Sequence, residues 1–376
     1  MSSFSLLKRH VLIRPFTVKG QAFGNQFLKS QILYSTRVNL NLVQDLPIEK
    51  WTPIPKMTPG HLVESYKSLS KAKLAGLVTL STMCGYAIAP GATNVLSLLW
   101  TTVGTGLCIS SANSLNQWVE IPYDAQMSRT RNRVLVRHAL TPQHAFTFGA
   151  SCGVLGVATL YNFVNPTVAF LGLSNIILYT SVYTPLKRYS IVNTWIGAVV
   201  GAIPPMMGWA ACTGTIDSSS WLLALALYAW QFPHFNSLSW NLRSDYSKAG
   251  YQMMAVTDPN LNARVSLRYA LAMFPISVAF PCLGLTTWWF AINSSFVNTY
   301  MAIKAFSFWS RPNDKSARSL FFSSLIHLPV FFALMLIHKN YSDNAEGPLA
   351  FFSSNALEAL FNSEKPKRIE GAKPEE

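Results

Sequence analysis

Between residues 73 and 338 long apolar runs alternate with short polar connections. A helix needs about 20 mainly apolar residues to cross hydrocarbon. That length predicts nine spans, at 73–90, 94–116, 144–162, 166–183, 193–212, 220–240, 266–285, 288–307 and 319–338. The third and fourth are divided by the turn around Asn162, Asn165 and Pro166, and the seventh and eighth by Thr286 and Thr287, so eight spans are the alternative count. The predicted fold class is an all-α polytopic membrane protein.

The connections differ in charge according to which side they fall on. The even ones carry Arg129, Arg131, Arg133 and Arg137, then Lys187 and Arg188, then Arg243, Lys248 and Arg264, then Arg311, Lys315 and Arg318. The odd ones carry no Lys or Arg, and a single acid, Asp217. The positive-inside rule places the even connections and the N-terminus on the synthesis-side face. Nine spans then put the tail 339–376, with five basic and seven acidic residues, on the other face.

Composition supports the bilayer reading. Of 376 residues 50% are hydrophobic and 12% charged, with mean hydropathy +0.24. The net charge of +14 and pI near 9.6 would suggest nucleic acid in a soluble protein, but here the basic residues lie between apolar runs rather than along one stripe. The first 44 residues hold Lys8, Arg9, Arg14, Lys19, Lys29 and Arg37 with no acid before Asp45, the composition of a mitochondrial presequence. The expected layout is a presequence at 1–44, a matrix segment at 45–72, the membrane domain at 73–338 and a polar tail at 339–376. Cys84, Cys108, Cys152, Cys212 and Cys282 stand singly in apolar surroundings and are expected to be buried, unpaired thiols.

Three polar stretches on the basic face could carry chemistry. In the first, Asn116, Glu120 and Asp124 recur at four-residue steps and share one face of a helix, although Pro122 argues against a regular helix through all three. Their oxygens suit Mg²⁺, which is usually held by one or two carboxylates together with substrate phosphates. Arg129, Arg131 and Arg133 follow as forked donors for phosphate oxygens, or as ordinary positive-inside arginines. In the second stretch His234, Asn241 and Asp245 lie along one stripe if the sixth span stays helical, followed by Arg243 and Lys248. The third is Tyr183-Thr-Pro-Leu-Lys187-Arg188, a basic pair at a span end that could clamp a diphosphate leaving group.

With these stretches in hand, residues 70–338 resemble the UbiA-type prenyltransferase superfamily. That family has nine membrane helices around a central cavity and two motifs, NxxxDxxxD and DxxxD, after helices two and six. Here Glu120 stands for the first Asp of the first motif, and Asn241 for the opening Asp of the second. The strings Arg129-Thr-Arg-Asn-Arg133, Tyr183-Thr-Pro-Leu-Lys-Arg188, Pro233-His-Phe235 and Asp245-Tyr-Ser-Lys-Ala-Gly250 resemble its haem O synthase branch.

That resemblance implies transfer of a farnesyl group from farnesyl diphosphate to a vinyl group of protohaem IX, followed by hydration, at the inner mitochondrial membrane. It implies Mg²⁺ on Asn116, Glu120, Asp124, Asn241 and Asp245, and diphosphate contacts from Arg129, Arg131, Arg133, Tyr183, Lys187, Arg188, Arg243 and Lys248. His234 would bind haem iron or act as a base. The expected partners are haem B, farnesyl diphosphate and membrane lipid, with no nucleic acid; a homo-oligomer or a contact with haem A synthase is left open. A quinone-pathway aromatic prenyltransferase is the alternative within the fold, and a multispan anion transporter the alternative outside it.

Overall fold

The computed structural model describes residues 59–340. The expected presequence at 1–44, most of the expected matrix segment and the tail beyond residue 340 lie outside the described residues. Within 59–340 the chain is built of helices, and the extended pairing is an isolated bridge between Thr286 and Lys339. The helices are α1 (Pro59–Leu69), α2 (Ala72–Ile88), α3 (Val95–Asp124), α4 (Pro142–Phe163) and α5 (Pro166–Leu186). Then come α6 (Asn193–Thr213), α7 (Ser218–Asn241), α8 (Arg243–Lys248), α9 (Met254–Thr257), α10 (Pro259–Cys282), α11 (Trp288–Ser310) and α12 (Asp314–Ile337).

Helix starts follow local chemistry. The side chains of Asn94, Thr141 and Asn165 accept from backbone N–H groups of the first turns of α3, α4 and α5, and Pro142 and Pro166 occupy first-turn positions that need no donor. Asp217 with Ser220 and Asn313 with Ser316 form reciprocal caps on α7 and α12. α10 begins at Pro259 behind the Asp258 cap, not at the predicted 266, because its start signal lies outside the apolar run.

Among the described residues six helices, α3, α4, α5, α6, α10 and α12, are long and apolar enough to cross a membrane. α2 is apolar but only 17 residues long, and α7 and α11 have the length but are rich in aromatic and small polar residues. α3 packs on α4, α2 on α6, and α6 on α7, which in turn packs on α10 and α12. α12 also meets α2, so the last helix returns to the first apolar one. The α2–α6 crossing is close: a Cβ built on Gly208 would lie 1.8 Å from the Thr82 carbonyl oxygen, and one on Gly85 2.1 Å from that of Pro205. Small residues let backbones approach where no hydrophobic drive between helices exists.

Burial is inverted relative to a soluble protein. Leu77, Val154, Phe170, Phe296 and Phe322 point outward, while Asn116, Gln117, Asn236, Asn262, Asn298 and His327 are buried. A hydrocarbon solvent explains both observations at once. Among the cysteines, Cys108 and Cys152 are buried and all five are free, but Cys84 and Cys212 are half-buried and Cys282 is exposed. The expectation of uniform burial fails at Cys282 because the apolar residues at the end of α10 face outward as well as inward.

Candidate active site

Four-residue steps along α3 place Asn116, Glu120 and Asp124 on one face, and all three are buried, at 1%, 4% and 1% exposure. The expected interruption at Pro122 does not occur; α3 runs to Asp124 with Pro122 inside it. A proline in the last turn forfeits one backbone hydrogen bond and disturbs only the turn before it.

The end of α5 faces this stripe. That helix widens into a π turn over Leu178–Tyr183 and closes again at Thr184–Leu186. The Thr184 hydroxyl donates to the Tyr179 carbonyl at 2.8 Å and accepts from Asn116 Nδ2 at 3.0 Å. One turn on, Lys187 Nζ donates to Glu120 Oε1 at 2.6 Å and lies 4.6 Å from the centre of the Tyr183 ring. From the turn after α3, Arg133 pairs with Asp124 and lies 3.8 Å from Glu120 Oε2. Lys71, in a left-handed conformation (φ 50) at the elbow between α1 and α2, donates to Asn116 Oδ1 at 3.0 Å.

Three cationic side chains therefore surround two carboxylates, an excess of positive charge suited to an anionic ligand. Burial, then the nearby Arg133 guanidinium, pulls the Lys71 ammonium down to about 7. Burial would lower Lys187 as well, but the Glu120 carboxylate outweighs it and Lys187 sits above its ordinary value. The Tyr251 phenol is raised by burial and further by the nearby Glu120 and Asp124 carboxylates.

The second polar stretch does not continue α7. That helix ends at Asn241, Leu242 leaves helical geometry (φ −106, ψ 11), and Asp245 belongs to the separate α8. The expected stripe through His234, Asn241 and Asp245 is thus broken at Leu242. Asp245 instead accepts from the Ser128 hydroxyl at 2.9 and 2.7 Å and from the Arg129 backbone N–H at 3.2 Å. The Ser128 hydrogen bond, with the Arg129 N–H and the Lys248 charge adding to it, holds Asp245 below the usual carboxylate range. Asn241 donates to the Ser237 carbonyl at 2.9 Å, and its Oδ1 is buried without a partner among the described residues.

The other expected site residues divide. Arg188 lies over the Tyr123 ring at 4.4 Å, while the side chains of Arg129, Arg131 and Lys248 are exposed. Arg243 turns toward α12, pairing with Asp314 at 2.7 Å and donating to the Trp240 carbonyl at 2.8 Å. His234 Nδ1 is 2.9 Å from Ser324 Oγ, and its ring stacks between Trp230 and Phe321 with centres 4.7 and 5.0 Å away. Lys71, Ser128, Thr184 and Tyr251 join the site without having been singled out in the sequence. Thr184 lies within the quoted Tyr183–Arg188 string, Ser128 directly precedes the Arg129 string and Tyr251 directly follows the Asp245–Gly250 string, whereas nothing local marked Lys71.

The donor set fits Mg²⁺. Asn116, Glu120 and Asp124 offer oxygens only, and Asp124 Oδ1 is buried with no hydrogen-bond partner among the described residues. An orphaned, buried carboxylate oxygen is satisfied well by a cation. Among the described residues no three His, Cys, Asp or Glu side chains close on a metal by themselves, so phosphate oxygens and water would complete the shell.

The model of the UbiA prenyltransferase family matches residues 78–326. The mitochondrial protoheme IX farnesyltransferase of Homo sapiens is 52% identical over 281 residues, covering 74% of this chain and 63% of that protein. The enzyme of the same name from Yarrowia lipolytica is 51% identical over 289 residues, covering 73% and 61%. The chain thus spans less than two thirds of the length of these relatives. Among solved structures, a digeranylgeranylglyceryl phosphate synthase superposes with TM-score 0.64 at 14% identity, covering 73% of this chain and 98% of that one. A UbiA homolog from Archaeoglobus fulgidus bound to GPP and Mg²⁺ gives TM-score 0.56 at 15% identity, covering 72% and 99%. At such identities the structural likeness speaks for the fold.

Proposed function

The chain belongs to the UbiA prenyltransferase family, and on that premise we propose that it transfers a farnesyl group from farnesyl diphosphate to a vinyl group of protohaem IX, with hydration. The observation that carries the reading is the buried Glu120, held by Lys187 at 2.6 Å with Arg133 at 3.8 Å, beside an Asp124 oxygen that lacks a partner. Carboxylates interleaved with cations suit a metal-bound diphosphate. About half identity to proteins named for haem farnesylation favours protohaem over a hydroxybenzoate acceptor. Charged groups concentrated at one end of the helices disfavour an anion transporter, which needs a path for the anion to both faces.

In this mechanism Arg133, Lys187 and Lys71 draw the diphosphate against α3, with Arg129, Arg131, Arg188 and Lys248 supplying further positive charge at the rim. Mg²⁺ held by Asn116, Glu120, Asp124, Asn241 and Asp245 would supply Lewis-acid neutralisation of the departing diphosphate. As the C1–O bond breaks its electron pair leaves with the diphosphate, and the cationic side chains stabilise the charge that develops there. The vinyl π electrons form the new C–C bond, and the cation left beside the porphyrin takes up water and loses a proton. The apolar interior excludes water from the allylic cation in the first step. His234, tethered through Nδ1 to Ser324 and stacked on Trp230 and Phe321, keeps its Nε2 edge for the acceptor.

The chain crosses the inner mitochondrial membrane nine times in this reading, with the site on the matrix side and residues 1–44 directing import. Incubating membranes that carry the protein with farnesyl diphosphate, Mg²⁺ and haem should give a product heavier than haem by one farnesyl group and one hydroxyl group. Unchanged haem, together with a prenylated hydroxybenzoate when that acceptor is offered, would transfer the assignment to the quinone pathway.

A further inference from the structure

A groove of about 950 Å³ runs along the outside of the bundle between α2 and α3, apart from the carboxylate cluster. Ala75, Gly76, Leu80 and Met83 line it from α2, and Val103 and Leu107 from α3. Its α2 wall extends from Ala72 to Met83. At 1.5 Å per residue that is roughly 16 Å, about half the ~30 Å hydrocarbon core. The groove therefore has the depth of a single leaflet. Leu77 on its lip is 66% exposed, so it opens sideways, toward the direction in which lipid lies.

Its mouth is charged on one end only. Lys67 at the end of α1 and Lys73 at the start of α2 both line the groove and both are exposed, and no acidic residue is among the lining residues. Lys71 between them is turned away and engaged with Asn116. The basic end coincides with the end of α2 that carries the N-terminal connection, where a phosphate headgroup would sit. Gly76 opens the floor: a Cβ built there meets no atom within 4 Å.

We propose that this groove is a binding site for an anionic phospholipid, with the phosphate between Lys67 and Lys73 and an acyl chain along Gly76, Leu80 and Met83. Charge complementarity and one-leaflet depth together select this occupant. Basic pockets between membrane helices on the matrix face attract anionic headgroups, and a chain of methylenes matches a narrow apolar wall. A zwitterionic lipid would gain the apolar contact without the charge. The proposal depends on the chain spanning a membrane and not on the reaction assigned above.

The test is native mass spectrometry of the full chain in detergent, titrated with dioleoylphosphatidylglycerol or dioleoylphosphatidylcholine. The wild type should retain phosphatidylglycerol preferentially. In Lys67→Gln/Lys73→Gln that preference should weaken roughly thirtyfold, taking each near-surface lysine at its usual contribution. Gly76→Phe, whose Cβ meets no protein atom within 4 Å, places a ring in the groove and should lower retention of both lipids. Both variants leave the carboxylate cluster untouched, and an unchanged thermal transition of the same preparations reports that the protein is folded. Equal retention of the two lipids by wild type overturns the proposal, as does preference for phosphatidylglycerol that survives both variants. A parallel haem titration followed in the Soret region separates the rival occupant: loss of haem binding in the two variants, with lipid retention intact, would assign the groove to haem.

Discussion

The Ser128 hydroxyl donates to both carboxylate oxygens of Asp245, at 2.9 and 2.7 Å, across 117 residues of sequence. Ser128 lies in the turn four residues after Asp124, and Asp245 lies on α8, so this contact joins the two polar stretches into one assembly. Without it the α7–α8 connection has no hydrogen-bonded tie from Asp245's side chain to α3's end beyond the Arg129 N–H. A hydrogen bond to a charged group is worth about 1.5–3 kcal/mol.

Ser128→Ala should accordingly lower kcat/KM for farnesyl diphosphate by about tenfold or more, with Ser128→Thr restoring most of it. Asp245 is held below the ordinary carboxylate range, so it is ionised well above that range and would lose its charge only as pH falls through its depressed value. Between about pH 6 and 8 the size of the defect should therefore stay constant. Steady-state kinetics on reconstituted protein check both statements, and wild-type rates in Ser128→Ala would remove the latch from the mechanism.

Asp124→Ala and Asp245→Ala should abolish transfer while the protein still inserts and accumulates, since both carboxylates are proposed cation ligands that insertion does not require. Asn241→Ala should be milder, because a neutral amide holds Mg²⁺ less firmly than a carboxylate. Membrane abundance by immunoblot, with product mass from the same membranes, separates lost chemistry from lost protein.

Glu120 differs from these two in that its ion-pair partner, Lys187 at 2.6 Å, is buried with it, whereas the Arg133 paired with Asp124 is partly exposed. Removing one member of a buried pair typically costs 3–5 kcal/mol. Glu120→Gln should thus lower thermal stability as well as activity. The double variant Glu120→Gln/Lys187→Met should regain part of the stability and none of the activity. A thermal-shift cycle over the four proteins measures the coupling, expected at about 1–3 kcal/mol; additive losses would mean that the pair is not coupled.

The helical stripe Asn116, Glu120, Asp124 was legible in the sequence because four-residue spacing is a property of the helix itself, and Lys187 was legible from its place at a span end on the same face. Lys71 was not. It lies 45 residues before Asn116 and reaches it only through a left-handed elbow, and no local pattern encodes such an encounter. The break at Leu242 was hidden for a similar reason: Asn241 to Lys248 carries no proline, and the glycine that ends the run, Gly250, comes later. What directs Asp245 away from the α7 stripe is its hydrogen bond to Ser128, a tertiary contact. Pro122 misled in the opposite direction, since its usual penalty shrinks in a final turn.

Lys71 should act through the diphosphate, because it is the one cation of the cluster that enters from the α1–α2 elbow and holds Asn116 rather than a carboxylate. Lys71→Ala should raise KM for farnesyl diphosphate several-fold and leave haem affinity unchanged, and Lys71→Arg should recover part of the loss. Equal weakening of haem binding, measured by Soret titration, would place Lys71 at the acceptor.

His234 carries the remaining question of the acceptor. Its Nδ1 is engaged with Ser324 on α12 at 2.9 Å, and Trp230 and Phe321 hold both faces of the ring. A ring fixed by stacking and by a hydrogen bond at one nitrogen is oriented in the manner of histidines that ligate a metal through the other. The same contacts make His234→Ala a poor probe, because it would open a cavity as well as remove the imidazole. His234→Phe keeps the stack and loses only the nitrogens. If His234 contacts haem iron, that variant should remain folded and bind farnesyl diphosphate normally, while its haem complex shows a displaced Soret band and weaker affinity. Ser324→Ala, which frees the ring without removing it, should produce a smaller change in the same direction. An unaltered Soret band and haem affinity in His234→Phe would leave the residue a packing element between α7 and α12, and the porphyrin iron would have to be held by another group.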